Sequence, residues 1–530
     1  VLGAEAASHA ALDSGARGIF GYPGTPSTEV FEAAAALVKQ KNDGRVAVWG
    51  ANEKAAFEMA LGASYAGYRS IVTMKHVGLN VAMDTFTNSA MTGTNGGLVC
   101  IVADDPGMHS SQNEQDSRYL AEFALVPCLE PSTTQEVYDY TRRAFEISEQ
   151  LKLPVLVKLV TRLAHSRGFI KRGESCAWSS RPMPSLTETI DWVLVPSVAR
   201  KMYEKLRAKQ PDTERIAGQF NKSLDGHERI CVIASGMGIS HYDQIAREEE
   251  GLDGRYFRLN VGAYPVKADL LTNMIDRVEK IIVFEENYPY LEDKVRSLAR
   301  AGRTAIHGRR DGTIPMAGEL TPLNMRKALG LSVPETKPGC KMELTPRLPR
   351  LCQGCGHIDA FNAMKEAAGR LGNPDLRFYG DIGCYTLGVY PPFGSIHTCV
   401  EMGASQGMAI GAALMGKGPS IGIMGDSTFY HSGLPNLVLL SRLNVNAKFV
   451  VLDNRAVAMT GQQKSVTLDK VEDIARALGF PNERIHTLTP LKKNHEENVK
   501  AFEAILRHDG PDVVVFKREC IQAAIQKLND

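Results

Sequence analysis

Charge of one sign is missing from this chain. Its 61 Lys and Arg stand against 60 Asp and Glu, so no net field draws it to nucleic acid or to an anionic membrane. Long apolar runs are missing as well: the longest Gly/Ala-rich stretch, EMGASQGMAIGAALMGKGPSIGIMGD, is broken by Glu401, Gln406 and Lys417, which argues against a membrane span. No signal peptide is recognisable, and Val1 in place of an initiator Met leads to the expectation of a trimmed start. The ten cysteines lack the dense, regular spacing of a secreted scaffold. They predict a reducing, cytoplasmic setting in which thiols are free, catalytic or metal-bound. What is present is the composition of a globular protein: 530 residues, 44% hydrophobic and 23% charged, enough for three or four domains and suited to small, near-neutral ligands.

Along the chain, short β-rich runs (RVAVWG, RSIVTMKH, GGLVCIVAD, LPVLVKLV) alternate with helix-period segments such as NEKAAFEMALGASYAG and TTQEVYDYTRRAFEISEQL. That alternation predicts an α/β domain with a mainly parallel sheet over 1–165. The Pro-, Ser- and Arg-rich stretch 166–227, with one amphipathic run around VARKMYEKLRAK, reads as a connector. A smaller α/β domain is expected over 228–335, from ERICVIASG to RVEKIIVFEENYPYLEDKVRSLAR. After the link VPETKPG, a last α/β domain is expected over 340–530. The fold class predicted is therefore α/β, two large parallel-sheet domains with a smaller one between them.

The chemistry concentrates in a few places. In GDSTFYHSGLPNLVLLSRLNVNAKFVVLDN, two buried-looking strands flank a helix, and a right-handed crossover sets such strands parallel. Asp426 and Asn454 then lie at carboxyl ends on one sheet edge, where α/β folds hold ligands. Both are hard oxygen donors of the kind magnesium takes at about 2.0 to 2.1 Å, and Gly425 lets the backbone approach closely. Acids also cap strand ends in many α/β folds, so spacing alone leaves the metal open. In WGANEKAAF, Asn52 reads as an N-cap and Glu53 as a first-turn acid. In GYPGTPSTEVF, Pro26 suits a first helical position and Thr25 its cap. The long polar loop DDPGMHSSQNEQDSR either covers a site or is solvated. Cys352 and Cys355 form a C-x-x-C in LCQGCGH, for which zinc with His357, a redox pair and packing all stay open.

Taken together, YPGTPSTE, ANEKAAFEMALGASYAG, TMKHVGLN, ADDPGMHSSQNEQDSR, LCQGCGH, GDIGCYTLG and LDNRAVAMTG resemble the large (alpha) subunit of indolepyruvate:ferredoxin oxidoreductases, and the resemblance covers both flanking domains. It implies that the first domain binds the aminopyrimidine of thiamine diphosphate and the last its diphosphate. The small domain is then of the transketolase C-terminal kind. It further implies that Glu53 bonds the aminopyrimidine ring, that Thr25 lies beside the substrate carboxylate, and that Asp426, the Asn454 amide and the Ala456 carbonyl surround Mg2+. Gly425 and Ser427 belong to the same motif, Ser427 standing where the wider thiamine signature has glycine. His76 and His109 lie in family motifs without an assigned role. Met459, where pyruvate-using relatives carry a polar Asn, implies an apolar pocket for a bulky side chain; Gln462 stands where the family has His, which leaves the substrate less defined.

The resemblance also assigns Cys352, Cys355, Cys384 and Cys520 to a proximal 4Fe-4S cluster, for which four thiolates are the required set. The chemistry asks for one, because the two electrons released after decarboxylation leave singly. Cys100, Cys231 and Cys399 read as packing residues, while Cys128, Cys176 and Cys340 carry no signal. Relatives continue into a ferredoxin module with further clusters; here the sequence stops ten positions after Cys520, at Asp530, without a C-x-x-C-x-x-C run. Electrons would then pass from the proximal cluster to another subunit or carrier. The implied activity is oxidative decarboxylation of an aryl 2-oxo acid with coenzyme A and ferredoxin. The implied partner is a beta subunit, in a dimer of heterodimers, with no nucleic acid and no membrane. A non-oxidative thiamine-diphosphate decarboxylase is the alternative, and a catalytically silent scaffold is a third class.

Overall fold

In the computed structural model, which describes all residues but 186–187, 301, 334–348, 374–375, 464–468 and 530, the β-rich runs become three sheets. Cys340 and the link 334–339 lie outside the described residues. The first six strands are β1 (Gly18–Gly21), β2 (Val46–Trp49), β3 (Ser70–Lys75), β4 (Leu98–Asp104), β5 (Cys128–Leu129) and β6 (Val155–Val160). They pair in parallel in the order β5-β6-β4-β3-β1-β2. Every residue of β3, β4 and β6 is buried, the pattern of central strands covered on both faces. The helix Thr134–Leu151 shows how a covering element is specified. Thr133 caps it by accepting from the Glu136 N–H, Lys152 ends it in the left-handed region, and Val137, Tyr138, Thr141, Phe145 and Ser148 recur at three- and four-residue spacing on its buried face.

Strands β7 (Lys222–Leu224), β8 (Glu228–Ser235), β9 (Tyr256–Val261), β10 (Ala263–Tyr264), β11 (Lys280–Phe284) and β12 (Ala305–His307) follow. Five of them make a second sheet, β12-β11-β8-β9-β7, parallel except for β7. The sixth, β10, leaves it and pairs antiparallel with β5, bringing the first sheet to seven strands. Between these sheets the polar stretch is irregular over 166–185, but its amphipathic run forms the helix Pro196–Ala208, which buries Met202 and Leu206, and a second helix, Gln210–Ala217, follows it.

The third sheet is wholly parallel, with β13 (Phe378–Gly380), β14 (Ser420–Gly425), β15 (Ala447–Asp453), β16 (Ile485–Leu488) and β17 (Asp512–Lys517) in the order β13-β14-β15-β17-β16. The chain thus divides into two compact units, Val1–Gly339 with two sheets and Cys340–Asp530 with one. One continuous core in the first unit joins residues of both its sheets, such as Ile101 and Ile233, and the second unit has a core of its own. Among the described residues no helix is long and apolar enough to cross a membrane.

Candidate functional site

Because β1, β2, β3 and β4 run parallel, the loops that follow them gather at one edge of the first sheet. After β2, Asn52 caps the helix Glu53–Tyr65 by accepting from the Ala55 N–H at 2.8 Å, and Glu53 is its first residue. The Glu53 side chain is 7% exposed. It fits there because position 78 is glycine: a Cβ on Gly78 would stand 2.6 Å from Glu53 Oε1. After β1 the structure corrects the expectation for Thr25. The helix starts at Thr28 with Ser27 before it, and Thr25 sits in the preceding turn rather than at the cap. The Ser27 hydroxyl donates to the Gly24 carbonyl at 2.6 Å and the Gly24 N–H to Thr28 Oγ1 at 2.9 Å. Those bonds hold 24–28 as a turn and delay the helix.

After β3, Lys75 donates to the Ser110 carbonyl at 2.7 Å, and burial lowers its ammonium to about 8 against the pull of Asp105. Burial, helped by the Lys75 charge, brings His76 down to about 4, so it is neutral, with Nε2 3.3 Å from the Asn113 carbonyl. The polar loop after β4 is fastened while its middle, 108–110 and 112–113, stays exposed to solvent. Asp105 accepts from the Ser110 N–H at 2.8 Å and the Ser111 hydroxyl at 2.6 Å. From the second sheet's side, Tyr288 Oη donates to the Glu114 carbonyl at 2.7 Å and Asn287 Nδ2 to the Gln115 carbonyl at 3.3 Å. His109 Nε2 lies 3.4 Å from Glu319. Beneath the loop is Arg118, 1% exposed. It donates to Asp116, to Glu285 at 2.8 Å and to the carbonyls of Glu286 and Tyr288 at 2.8 and 3.0 Å. The sequence reading missed this hub; an arginine directly after a polar loop carries no pattern that marks it as buried.

In the second unit, Gly425 ends β14 and Asp426 opens the helix that follows it. That helix begins six residues earlier than the SGLPNLVLLSRLN run suggested and includes a π turn over Phe429–Gly433. A Cβ on Gly425 would stand 3.0 Å from the Tyr385 ring, so glycine is what allows the close approach there. Asp426 is 2% exposed, and its Oδ2 has no hydrogen-bond partner. Burial, reinforced by the charge of Asp453, raises this carboxyl to about 8. An orphaned, buried carboxylate oxygen suits a cation. Asn454, one residue beyond β15, accepts from the Ala456 N–H at 3.1 Å through Oδ1. Met459, expected in an apolar pocket, is 49% exposed in this unit.

Cys352, Cys355, Cys384 and Cys520 line one cavity, together with His357 and Asn454. The Cys520 N–H donates to the Asn454 carbonyl at 3.0 Å, tying the cysteine loop to the strand end that carries Asn454. Burial first, and then the neighbouring Cys355, Cys520 and Cys352, push the Cys384 thiol up to about 12; burial also raises Cys355. Thiols crowded this way favour a cationic occupant that takes them as thiolates. As the side chains stand, among the described residues no three His, Cys, Asp or Glu are set around one metal position. Cys100 and Cys231 are buried as expected, while Cys399 is exposed and does not pack; it lies outside any strand or helix. Cys128 is buried and Cys176 exposed.

One further residue here escaped the sequence reading, and another shows a feature that the sequence did not. Asp381 directly follows β13 and is fully buried; burial lifts its carboxyl to about 7, and it accepts from Tyr385 Oη and from the Ser405 hydroxyl at 2.7 Å. Its Gly-Asp after an apolar run repeats the Gly425-Asp426 pattern, a signal that could have found it. His357 was named in the sequence only as an alternative zinc ligand; what the sequence did not show is a buried ring with both nitrogens unpartnered.

Comparison with known proteins follows the same two edges. Residues 9–172 match the family described as pyruvate flavodoxin/ferredoxin oxidoreductase, thiamine diphosphate-binding. Residues 381–516 match the C-terminal TPP-binding domain of thiamine pyrophosphate enzymes. The indolepyruvate oxidoreductase subunit IorA of Methanothermobacter marburgensis is 36% identical over 545 residues, covering 98% of this chain and 86% of its own. That of Archaeoglobus fulgidus is 34% identical over 554 residues, with coverage of 98% and 86%. Among solved structures, the 2-oxoglutarate:ferredoxin oxidoreductase from Magnetococcus marinus shares the fold, with a TM-score of 0.50 at 17% identity over 62% of this chain and 64% of that one.

Proposed function

The chain belongs to the indolepyruvate oxidoreductase subunit IorA family, and on that premise we propose that it catalyses oxidative decarboxylation of an aryl 2-oxo acid, of the indolepyruvate or phenylpyruvate kind. Coenzyme A takes the acyl group, and a 4Fe-4S cluster passes electrons to ferredoxin or a similar carrier. The coarser statement, a thiamine-diphosphate-dependent 2-oxoacid oxidoreductase, follows from the family and from thiamine-diphosphate-binding domains toward both ends of the chain. The observation that carries the finer reading is the cavity that four cysteines share with Asn454.

Thiamine diphosphate supplies the carbanion stabilisation by which a 2-oxo acid loses carbon dioxide. The chain's own part begins with Glu53, whose buried carboxylate would hold a proton at the aminopyrimidine ring. The Thr25 hydroxyl would meet the substrate carboxylate. Asp426, the Asn454 amide oxygen and the Ala456 carbonyl would hold Mg2+, with Gly425 and Ser427 giving the diphosphate room. Cys352, Cys355, Cys384 and Cys520 would ligate the cluster, and Met459 would border the aryl group. The partners are a beta subunit, in a dimer of heterodimers, and the electron carrier, all in the cytoplasm.

Metal analysis and turnover of the anaerobically purified protein with its partner subunit test this. Iron and sulfide are expected at four each per chain for a 4Fe-4S cluster, and Cys384→Ser should lose them. Asp426→Ala should weaken thiamine diphosphate binding by about 100-fold. Glu53→Gln should keep binding and lower turnover by about 100-fold or more. An iron-free protein that still releases aldehyde after Cys384→Ser would be a non-oxidative decarboxylase. Turnover surviving both Asp426→Ala and Glu53→Gln would sink the mechanism.

A further inference from the structure

His357 is buried in the first turn of the helix Gly356–Leu371, and neither ring nitrogen has a hydrogen-bond partner. A neutral imidazole carries one N–H donor and one acceptor, and leaving a buried donor unmet forfeits the hydrogen bond it makes with water when unfolded. Native folds rarely accept that loss without a partner group. Its aromatic neighbour, the Tyr385 ring, lies edge-on at 6.2 Å between centroids and does not offer an oxygen to it: the Tyr385 hydroxyl is already committed to Asp381. The side His357 lines is the cavity of the four cysteines and Asn454. A structural histidine would be expected to bond a carbonyl or carboxylate, as His76 approaches the Asn113 carbonyl and His486 approaches Asp512. His357 does neither.

From this juxtaposition we propose that His357 donates its imidazole N–H to an anionic acceptor lodged in the cysteine-lined cavity, and so acts as a positioning residue that holds and tunes that group rather than as a metal ligand. The inference rests on the function proposed above. Under that reading two groups offer such an acceptor, a sulfur of the iron-sulfur cluster and an oxygen of the coenzyme diphosphate. The chemistry is the same in both cases, an N–H directed at negative charge in a buried place, where charge-assisted bonds are strongest.

The test compares the full chain, prepared anaerobically, with His357→Leu, which removes the donor, and His357→Gln, which keeps one. Two quantities are read in each: the midpoint potential of the cluster by spectroelectrochemical titration, and the affinity for thiamine diphosphate with Mg2+ by calorimetry. If the acceptor is sulfur, Leu lowers the potential, because the bond stabilises the more negative reduced state, and Gln recovers much of the shift. If the acceptor is a diphosphate oxygen, Leu weakens thiamine diphosphate by about tenfold and Gln recovers it. A Leu variant with wild-type iron content, potential and affinity overturns the proposal. So does zinc recovered from the wild type and lost from both variants, which would make His357 a ligand. A wild-type chain that holds no iron and binds no thiamine diphosphate takes down the proposed function, and this inference with it. Failure with the wild type intact touches His357 alone.

Discussion

At the scale of single residues, glycine and aspartate do the most specific work. Gly78 leaves room for the Glu53 carboxylate, so Gly78→Ala should preserve the fold yet displace that group; a fall in turnover of about tenfold or more, with thermal unfolding little changed, is expected. Asp512 acts on stability instead. It is fully buried and accepts from Lys448 at 2.9 Å, His486 at 3.0 Å and His508 at 2.7 Å. Burial acts to raise its carboxyl, but these bonds win and bring it down to about 2. A carboxyl depressed in the folded state stabilises above its unfolded value near 4, and that contribution, about 2 kcal/mol, is lost as the pH falls through about 2. Acid unfolding of the C-terminal unit should therefore steepen between about pH 4 and 2. Asp512→Asn should flatten that window and cost about 3 kcal/mol at neutral pH, because it strands the buried Lys448. Residue-level legibility in the sequence followed local context. Asp426 and Asn454 stood out because each ends an obvious buried strand. Asp381 did not, because β13 is three residues long, and His357 stood out only as a neighbour of the C-x-x-C, because nothing along a sequence tells a bonded histidine from an orphaned one.

At the scale of elements, the loop between β4 and the helix Ser117–Ala124 is held by groups that come from far along the chain. Tyr288 and Asn287 bond its carbonyls, and Arg118 bonds Glu285 and two carbonyls after it. Tyr288→Phe removes one such bond. Amide exchange within 105–116 should then quicken by about threefold to tenfold, while exchange in β4 stays as it was; unchanged exchange in the loop would mean that it holds itself. The central strands could be read from their unbroken apolar runs, and the helix Pro196–Ala208 from its spacing, because burial on both faces or on one stripe leaves a periodic trace. The π turn at Phe429–Gly433 leaves none, since an i to i+5 bond has no composition of its own. The start of the helix after β1 was misplaced because Thr25 and Pro26 satisfy the usual cap pattern, whereas hydroxyl bonds from Ser27 and to Thr28 decide the turn.

At the scale of the whole molecule, the two units have separate cores. Fragments divided between Gly339 and Cys340 should each fold alone, each showing a cooperative melt and a native-like circular dichroism spectrum; a fragment that stays unfolded would show that its core is incomplete by itself. Inside the first unit no such division is available. The run Ala263–Tyr264 departs from its own neighbours to lie along Cys128–Leu129. Excising the stretch that contains it would therefore strip the first sheet of its selvage, leaving backbone amides bare on a strand only two residues long. An ancestor or an engineered minimal enzyme lacking that stretch would need some other hem, and without one its fate in concentrated solution is stacking with its own kind.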